Sequence, residues 1–261
     1  MLRTMDNEKI LNCEIEYTKC FAQVIESQNF MRFKDDLLKD MYDHNFTLIK
    51  NSNSEDELCS LIEDEIILRK DFNYCNIVSL IPISNKIAQK FENKPEISIK
   101  GFYLFDAPKP LDLNKKEGCT ISKVSSEKMM TDRLHLDLEQ DEDMSVDFCT
   151  RRLNRRKEIY LSTEGIDSYV CYDNGEVLGS CDLFVNNGVA KIEDFAVSPT
   201  KQRQGYGKMI LNYIIEAALK SGASIIYLVT DEEDTAKEMY LKCGFKKIGE
   251  QTDLFFKIFA T

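Results

Sequence analysis

The sequence is short of the residues that form the commonest catalytic and metal sites. Among its 261 residues there is no tryptophan, and the only two histidines, His44 and His135, lie far apart. The nine cysteines are scattered and never spaced as CxxC, which indicates neither a zinc site nor a disulfide framework. We therefore expect reduced, mostly buried thiols, no metal and no histidine-based triad.

Long apolar runs and an excess of positive charge are also missing. No segment approaches the roughly 18 consecutive apolar residues of a membrane-spanning helix, and the first residues carry acids where a signal peptide needs an apolar core. A net charge of −11 argues against nucleic-acid binding through the overall field. We expect a cytoplasmic protein that binds neither membranes nor nucleic acid and whose partner is a small cationic molecule. Whether it forms a homodimer is left open.

The richest basic cluster, RRLNRRK at residues 151–157, lies in a segment with helical periodicity. Val146, Cys149, Leu153 and Tyr160 fall on one face of that helix. We interpret the cluster as a solvated outer face rather than as a binding patch.

Prolines indicate a division of the chain. Four of the five fall within residues 82–110, and FDAPKPLDLNKKEG is typical of an extended linker, because proline restricts its own backbone and that of its predecessor. We place a boundary near residue 115, between a smaller N-terminal α/β domain at 1–115 and a domain at 116–261.

The N-terminal domain is predicted to begin with a helix at about residues 6–28. Strands at 45–50, 74–81 and 97–105 then alternate with helices at 54–70 and 84–93.

The C-terminal domain is predicted to be α+β. A strand at 119–124 and one or two helices at 125–160 precede three antiparallel strands at 166–197, which the hairpin signals DNG and NNG separate. A helix ending at Gly222, a buried strand at 224–230, a helix ending at Gly244 and a strand at 253–259 follow.

Two of only eleven glycines, Gly205 and Gly207, flank one residue at the start of a helix, in VSPTKQRQGYGKMI. A helix N-terminus presents unpaired backbone N–H groups, and the helix dipole favours negative charge there. The segment is therefore a candidate anion site, although neither the GxxxxGK[ST] nor the GxGxxG spacing is present. A tight turn without a ligand is the alternative.

The residues around these glycines resemble two motifs of the GNAT superfamily of N-acetyltransferases. The string from Gln202 to Gly207 matches Q/R-x-x-G-x-G/A, and the segment from Ala236 to Phe245 is similar to A-x-x-x-Y-x-K-x-G-F. The resemblance covers about residues 118–261. It implies a GNAT fold, with a mixed, mostly antiparallel central sheet flanked by helices and split between two strands where acetyl-coenzyme A binds.

The resemblance also implies which residues contact the coenzyme. Backbone groups of Phe195, Ala196 and Val197 would pair with the pantetheine and the thioester carbonyl, and Ala236 would add a contact. The amides that would hold the diphosphate belong to Gln202, Arg203, Gln204, Gly205, Tyr206, Gly207 and Lys208. The two glycines would let the phosphates come close, because a Cβ would obstruct them.

Direct acetyl transfer needs a neutral amine, yet an alkylamine with a pKa of roughly 10.4 is mostly protonated at neutral pH. Glu193 and Asp194 are the candidate bases and substrate-binding acids, and alternation along a strand would point them to opposite faces. We favour Glu193, because IEDFAV looks like the LEDFFV stretch of polyamine acetyltransferases. The resemblance assigns protonation of the departing thiolate to Tyr240.

Two features depart from the family pattern. Glu233 stands where the second motif commonly has Asn, and a carboxylate cannot donate the hydrogen bonds of an amide. Residues 30–107 vaguely repeat the element order of the C-terminal domain without its motifs, as in tandem GNAT proteins with a degenerate first repeat. An unrelated α/β cap is the alternative.

The sequence thus predicts an enzyme that transfers acetyl from acetyl-coenzyme A to a primary amine of a small molecule. The rival functions are a non-catalytic module that binds acyl-coenzyme A and an enzyme that acetylates a protein amine.

Overall fold

The computed structural model describes residues 5–70, 72–111, 116–140 and 144–258. Within these ranges eleven strands form one sheet, with helices on both faces. The helices are α1 (Met5–Lys19), α2 (Glu55–Leu68), α3 (Asn85–Ala88), α4 (Glu127–Gln140), α5 (Val146–Ser162), α6 (Tyr206–Lys220) and α7 (Ala236–Lys242). The strands are β1 (Gln23–Glu26), β2 (Phe30–Lys34), β3 (Phe46–Ile49), β4 (Tyr74–Ser79), β5 (Glu96–Phe105), β6 (Cys119–Lys123), β7 (Ile166–Asp173), β8 (Glu176–Asn186), β9 (Val189–Val197), β10 (Ile225–Asp231) and β11 (Phe245–Lys257).

The sheet is mixed and mostly antiparallel, as the resemblance implied. Its strand order is β1-β2-β3-β4-β11-β5-β10-β9-β8-β7-β6. Among the described strands, β3 with β4 and β9 with β10 are the two parallel pairs, and a helix, α2 or α6, connects each pair. The predicted α+β fold class is therefore confirmed, as are the three antiparallel strands β7 to β9.

The N-terminal and C-terminal parts of the chain exchange strands within this sheet. β5, from the N-terminal part, lies between β10 and β11 and pairs with both. β11, near the C-terminal end, pairs in turn with β4. The two parts therefore share one sheet and bury its interior strands jointly.

Strand alternation divides the core between the two faces of the sheet. Ile192 and Leu228 pack against Leu211 and Ile214 of α6. Tyr227 and its neighbours at alternate positions face α1 and α5. This places α6 and α7 on one side of the β9–β10 pair and α1 on the other.

Some predicted element boundaries are wrong. The first helix ends at Lys19 and not near residue 28, because residues 23–26 pair with β2 and form an edge strand. The predicted helix at 84–93 spans only residues 85–88, and the last strand begins at Phe245. The boundary near residue 115 and position 259 of the predicted last strand lie outside the described residues.

The helices in the described ranges do not include one that is both long and apolar enough to cross a bilayer.

Candidate functional site

β9 and β10 part halfway along their length. Their parallel ladder ends at the pair Leu228–Ile192, although both strands continue. Beyond that pair β9 contains a bulge, in which two of its residues oppose one residue of β8. Asp194 lies in this bulge with a φ of 50°. The bulge leaves a gap between the C-terminal ends of β9 and β10, where the resemblance places the split in the sheet.

The loop that follows β9 enters α6 through Gly205, whose φ of 87° is left-handed. The N–H of Met209 donates to the carbonyl of Gly205 at 3.3 Å. In the described part of the chain, the N–H groups of residues 203–208 have no acceptor. Six amides and the positive end of the helix dipole are therefore available at one helix start, which suits a diphosphate.

Several side chains hold the shape of this loop. Gln202 Nε2 donates to the carbonyl of Val197 at 3.1 Å. Tyr206 is buried beneath the loop, and its hydroxyl donates to Asp173 Oδ2 at 2.8 Å. Gln202 and Tyr206 can therefore meet a coenzyme through their backbone rather than through their side chains.

Lys116, which the sequence analysis missed, lies over the same loop. Its Nζ is 3.7 Å from the ring centroid of Tyr206 and donates to the carbonyl of Gln204. The ammonium adds positive charge beside the free amides. No local motif marks this lysine, because it reaches the loop from 88 residues earlier in the chain.

Gly207 and Tyr240 lie on the α6 side of the gap. A Cβ at Gly207 would be 2.8 Å from Met239 Sδ, so the glycine also allows α6 to approach α7 closely. Tyr240 is buried and packs edge-on against Phe195, with ring centroids 6.3 Å apart; Ala236 packs beside the same core. Burial raises the pKa of Tyr240 well above its ordinary value, so the hydroxyl keeps a proton to donate.

A cavity of about 370 Å³ lies on the opposite side of the gap. Its walls come from both parts of the chain, with α1 and strands β2 to β5 facing α5 and strands β9 to β11. Glu193 and Asp194 both line this cavity, whereas Tyr240 lies in the core on the other face of the sheet. The gap thus joins the face that carries Tyr240 to the cavity that carries Glu193.

The prediction that Glu193 and Asp194 point to opposite faces is wrong, because the bulge interrupts the alternation of β9. Arg156 Nη1 and Nη2 donate to Asp194 at 2.7 and 3.0 Å, and Arg133 donates to Asp194 Oδ2. Burial alone would raise the pKa of Asp194, but Arg156 and Arg133 hold it well below its usual range. Asp194 therefore fixes the bulge and is a poor candidate for a base.

Glu193 has the properties of a proton acceptor. Its side chain is 35% exposed, and its Oε2 lies 2.7 Å from Lys191 Nζ. Partial burial raises the pKa of Glu193 above its ordinary value, and Lys191 opposes that rise. A carboxylate with a raised pKa accepts protons more readily near neutral pH.

Part of the basic cluster at 151–157 is buried, contrary to the interpretation made from the sequence. Arg152 and Arg156 are 7% and 6% exposed, and they lie 3.2 and 3.8 Å from Asp137. Their i, i+4 spacing on the same helix face as Leu153 could have revealed this. Both arginines line the cavity.

The residue that departs from the second motif lies in the turn that follows β10. The Glu233 side chain is exposed, and its N–H donates to Asp231 Oδ1 at 2.8 Å. Asp234 Oδ1 accepts the N–H of Ala236, the first residue of α7, at 2.8 Å. Across the described ranges, no three histidine, cysteine, aspartate or glutamate side chains are grouped so as to hold a metal ion.

Residues 132–245 match the family described as Acetyltransferase (GNAT) family. The uncharacterized N-acetyltransferase CgeE of Bacillus subtilis (strain 168) is 31% identical over 112 residues, which are 41% of this chain and 43% of that protein. A ribosomal protein bS18-alanine N-acetyltransferase of Haemophilus influenzae is 26% identical over 95 residues, which are 36% of this chain and 61% of that protein. The chain thus spans about half the length of the curated relatives it matches.

The similarity of fold extends over nearly the whole chain. A solved structure of a tandem GNAT protein from the clavulanic acid biosynthesis pathway superposes with a TM-score of 0.59 at 10% identity. The match covers 96% of this chain and 89% of that one. This fits the predicted tandem architecture, in which the N-terminal half repeats the element order of the C-terminal half without its motifs.

Proposed function

We propose that this chain, whose residues 132–245 form a GNAT acetyltransferase domain, transfers acetyl from acetyl-coenzyme A directly to a primary amine of a small molecule. The gap between β9 and β10 carries this proposal. It connects the face that bears the free amides and Tyr240 with the cavity that bears Glu193. A coenzyme on one face and an amine on the other would meet there.

The residues around the start of α6 suit the coenzyme, which would supply the acetyl thioester. The amides of residues 203–208 and the ammonium of Lys116 would bind its diphosphate. Ala196 pairs with β8 on one edge of β9, which leaves the edge toward the gap for the pantetheine. The carbonyl of Val197 is already bonded to Gln202, so Phe195 and Ala196 are the better candidates for that contact.

The titratable groups on the two faces can complete the proton balance. Glu193 would accept a proton from the acceptor ammonium, and the freed nitrogen would form the new C–N bond at the thioester carbon. Backbone N–H groups at the bulge would stabilise the negative oxygen. As the C–S bond breaks, Tyr240 would donate its proton to the sulfur. The nitrogen would pass its second proton to Tyr240, and Glu193 would release the first to water, so that an amide, a thiol and one proton are the net products.

The charge and the size of the cavity favour a small cationic acceptor. Its acidic lining residues are Glu14, Asp43, Glu193, Asp194, Asp231 and Asp253, and its lysines and arginines are Lys100, Arg152, Arg156 and Lys191, with His44 beside them. The excess of acids favours an ammonium group. The volume of about 370 Å³ lies in the range of small-molecule sites. Acetylation of a protein amine is the second candidate, because one relative is named for a ribosomal protein.

Calorimetry with acetyl-coenzyme A, followed by thiol-release assays over polyamines, amino sugars, amino acids and N-terminal peptides, tests the proposal. We expect Tyr240→Phe to lower kcat by about 10² to 10⁴, the range for a positioned acid, with unchanged coenzyme affinity. Unchanged turnover would remove Tyr240 from the reaction. Tight binding without turnover on any amine would favour a non-catalytic module, and turnover on peptides alone would favour the protein substrate.

A further inference from the structure

Two carboxylates from distant parts of the chain share one buried lysine beside the candidate base. Lys191 Nζ lies 2.7 Å from Glu193 Oε2 and 2.9 Å from Glu14 Oε2. Glu14 belongs to α1 and precedes Lys191 by 177 residues. The lysine side chain is only 7% exposed, and its Nζ lies 4.5 Å from the ring centroid of Tyr17.

The remaining hydrogen bonds hold Glu14 in place. Its Oε1 accepts the hydroxyl proton of Tyr227 at 2.7 Å, while Oε2 faces Lys191. An ammonium has three N–H donors, and Lys191 directs two of them at the two carboxylates. A buried charge without such partners is strongly unfavourable, so Lys191 cannot leave Glu193 at low cost.

We infer that Glu14 and Lys191 are positioning residues, which hold the Glu193 carboxylate at the gap and set its affinity for a proton. This inference rests on the proposed function in assigning Glu193 as the base. Through Glu14, α1 would then contribute to the acetyl-transfer site, although it lies outside the matched GNAT domain.

The two partners should act on Glu193 in opposite directions. The ammonium of Lys191 favours the charged form of Glu193, whereas the carboxylate of Glu14 disfavours it. Burial raises the pKa of Glu193, Lys191 lowers it and Glu14 raises it. The other titratable groups around Glu193 are Tyr17 on α1, Cys181 and Asp182 on β8, Asp194 on β9 and Tyr240 on α7, while Arg156 on α5 and Asp231 on β10 line the same cavity.

The test is to titrate the Glu193 carboxyl carbon directly, by ¹³C NMR of glutamate-labelled protein, with the signal assigned from Glu193→Gln. We expect the pKa of Glu193 to rise in Lys191→Met and to fall in Glu14→Gln. In Lys191→Arg, which keeps the charge, the pKa of Glu193 should stay close to that of the wild type. This variant shows whether a shift in Lys191→Met comes from the lost charge or from a fold defect. Glu8→Gln, at an exposed position of α1, is the matched control and should leave the titration unchanged.

Shifts in the same direction, or no shift in either variant, would overturn the inference. The acid limb of the kcat/KM profile should move with the carboxyl, upward in pH for Lys191→Met and downward for Glu14→Gln. The two proposals fail separately. Opposite shifts of the Glu193 pKa in a protein that turns over no amine would uphold the positioning role and contradict the proposed function. Turnover of an amine without these shifts would uphold the proposed function and contradict the positioning role.

Discussion

Two strand–helix–strand units of this sheet have the same topology, but only one of them opens. In β3–α2–β4 the parallel pairing continues to Ile49 and Ser79, the last residues of both strands. In β9–α6–β10 the pairing stops at Ile192 and Leu228, and the bulge at Asp194 follows. The same topology therefore gives a closed ladder in one half of the chain and a gap in the other.

The helix starts of the two units also differ, because amides are bonded within the chain at α2 and left free at α6. At α2, Ser54 Oγ accepts the N–H of Glu57 at 3.1 Å, while Glu57 Oε2 accepts the N–H of Asn53 at 2.7 Å. These two bonds satisfy the amides of Glu57 and Asn53 within the chain, and residues 55–57 are all acidic. At α6 the cap is Gly205, which has no side chain to accept a hydrogen bond.

The shared topology alone would therefore not form the proposed coenzyme site. The site needs a strand pair that parts and a helix start whose amides are left for a ligand. Only the second unit combines both among the described residues, so we expect one coenzyme per chain. Three substitutions test whether these local features are responsible for the difference.

Replacing the residue that fixes the bulge should have the largest effect. Asp194→Asn would leave Arg133 and Arg156 short of a buried negative partner, and we expect a loss of about 3 kcal/mol in the free energy of unfolding at pH 7. Because the folded pKa of Asp194 is lowered, its contribution is complete above the unfolded value near 3.9 and is lost as the pH falls through and below it.

Urea denaturation of both proteins at pH 7 and at pH 3 measures this effect. The difference in the free energy of unfolding between wild type and Asp194→Asn should be smaller at pH 3 than at pH 7. Glu164→Gln, at an exposed position, serves as the control and should change stability little. A difference that stays constant with pH would show that the carboxylate charge does not hold the bulge.

A bulky side chain in the first turn should weaken coenzyme binding at α6 but not at α2. Gly207 and Asp56 are both the second residue of their helix. Gly207→Trp would place its ring over the free amides, where the diphosphate is proposed to bind, and beside Met239. A steric cost in the complex of about 1 to 3 kcal/mol, the size of an overpacking cost, corresponds to roughly a 5- to 150-fold weaker affinity for acetyl-coenzyme A. Asp56→Trp should leave the affinity for acetyl-coenzyme A unchanged. Equal losses of acetyl-coenzyme A affinity in the two variants, measured by calorimetry, would contradict a single coenzyme site at α6.

The features that the sequence predicted correctly are local in the chain. The helix start beside Gly205 and Gly207 and the turns between β7, β8 and β9 depend on neighbouring residues, so pattern reasoning could find them. The bulge and its partners depend on contacts between distant residues, such as Arg156 with Asp194, 38 positions apart. Glu14 and Lys116 reach the site over 177 and 88 positions, and no local pattern encodes such a contact. Residues 23–26 form the edge strand β1 and not the predicted helix, because their pairing with β2 overrides the local preference.

The smallest effect should come from giving α6 the charge pattern of α2. Lys208 and Glu57 are both the third residue of their helix. Lys208→Glu places a carboxylate beside the proposed diphosphate site, and a charge near a helix end is worth about 0.3 to 1 kcal/mol, so we expect roughly a 2- to 5-fold weaker affinity for acetyl-coenzyme A. Glu57→Gln keeps the capping hydrogen bond, removes the charge and should leave coenzyme binding unchanged. Because screening weakens a surface charge effect, the loss in Lys208→Glu should shrink as salt is raised in the calorimeter. A loss that is independent of salt would mean that side-chain shape, and not charge, distinguishes the two helix starts.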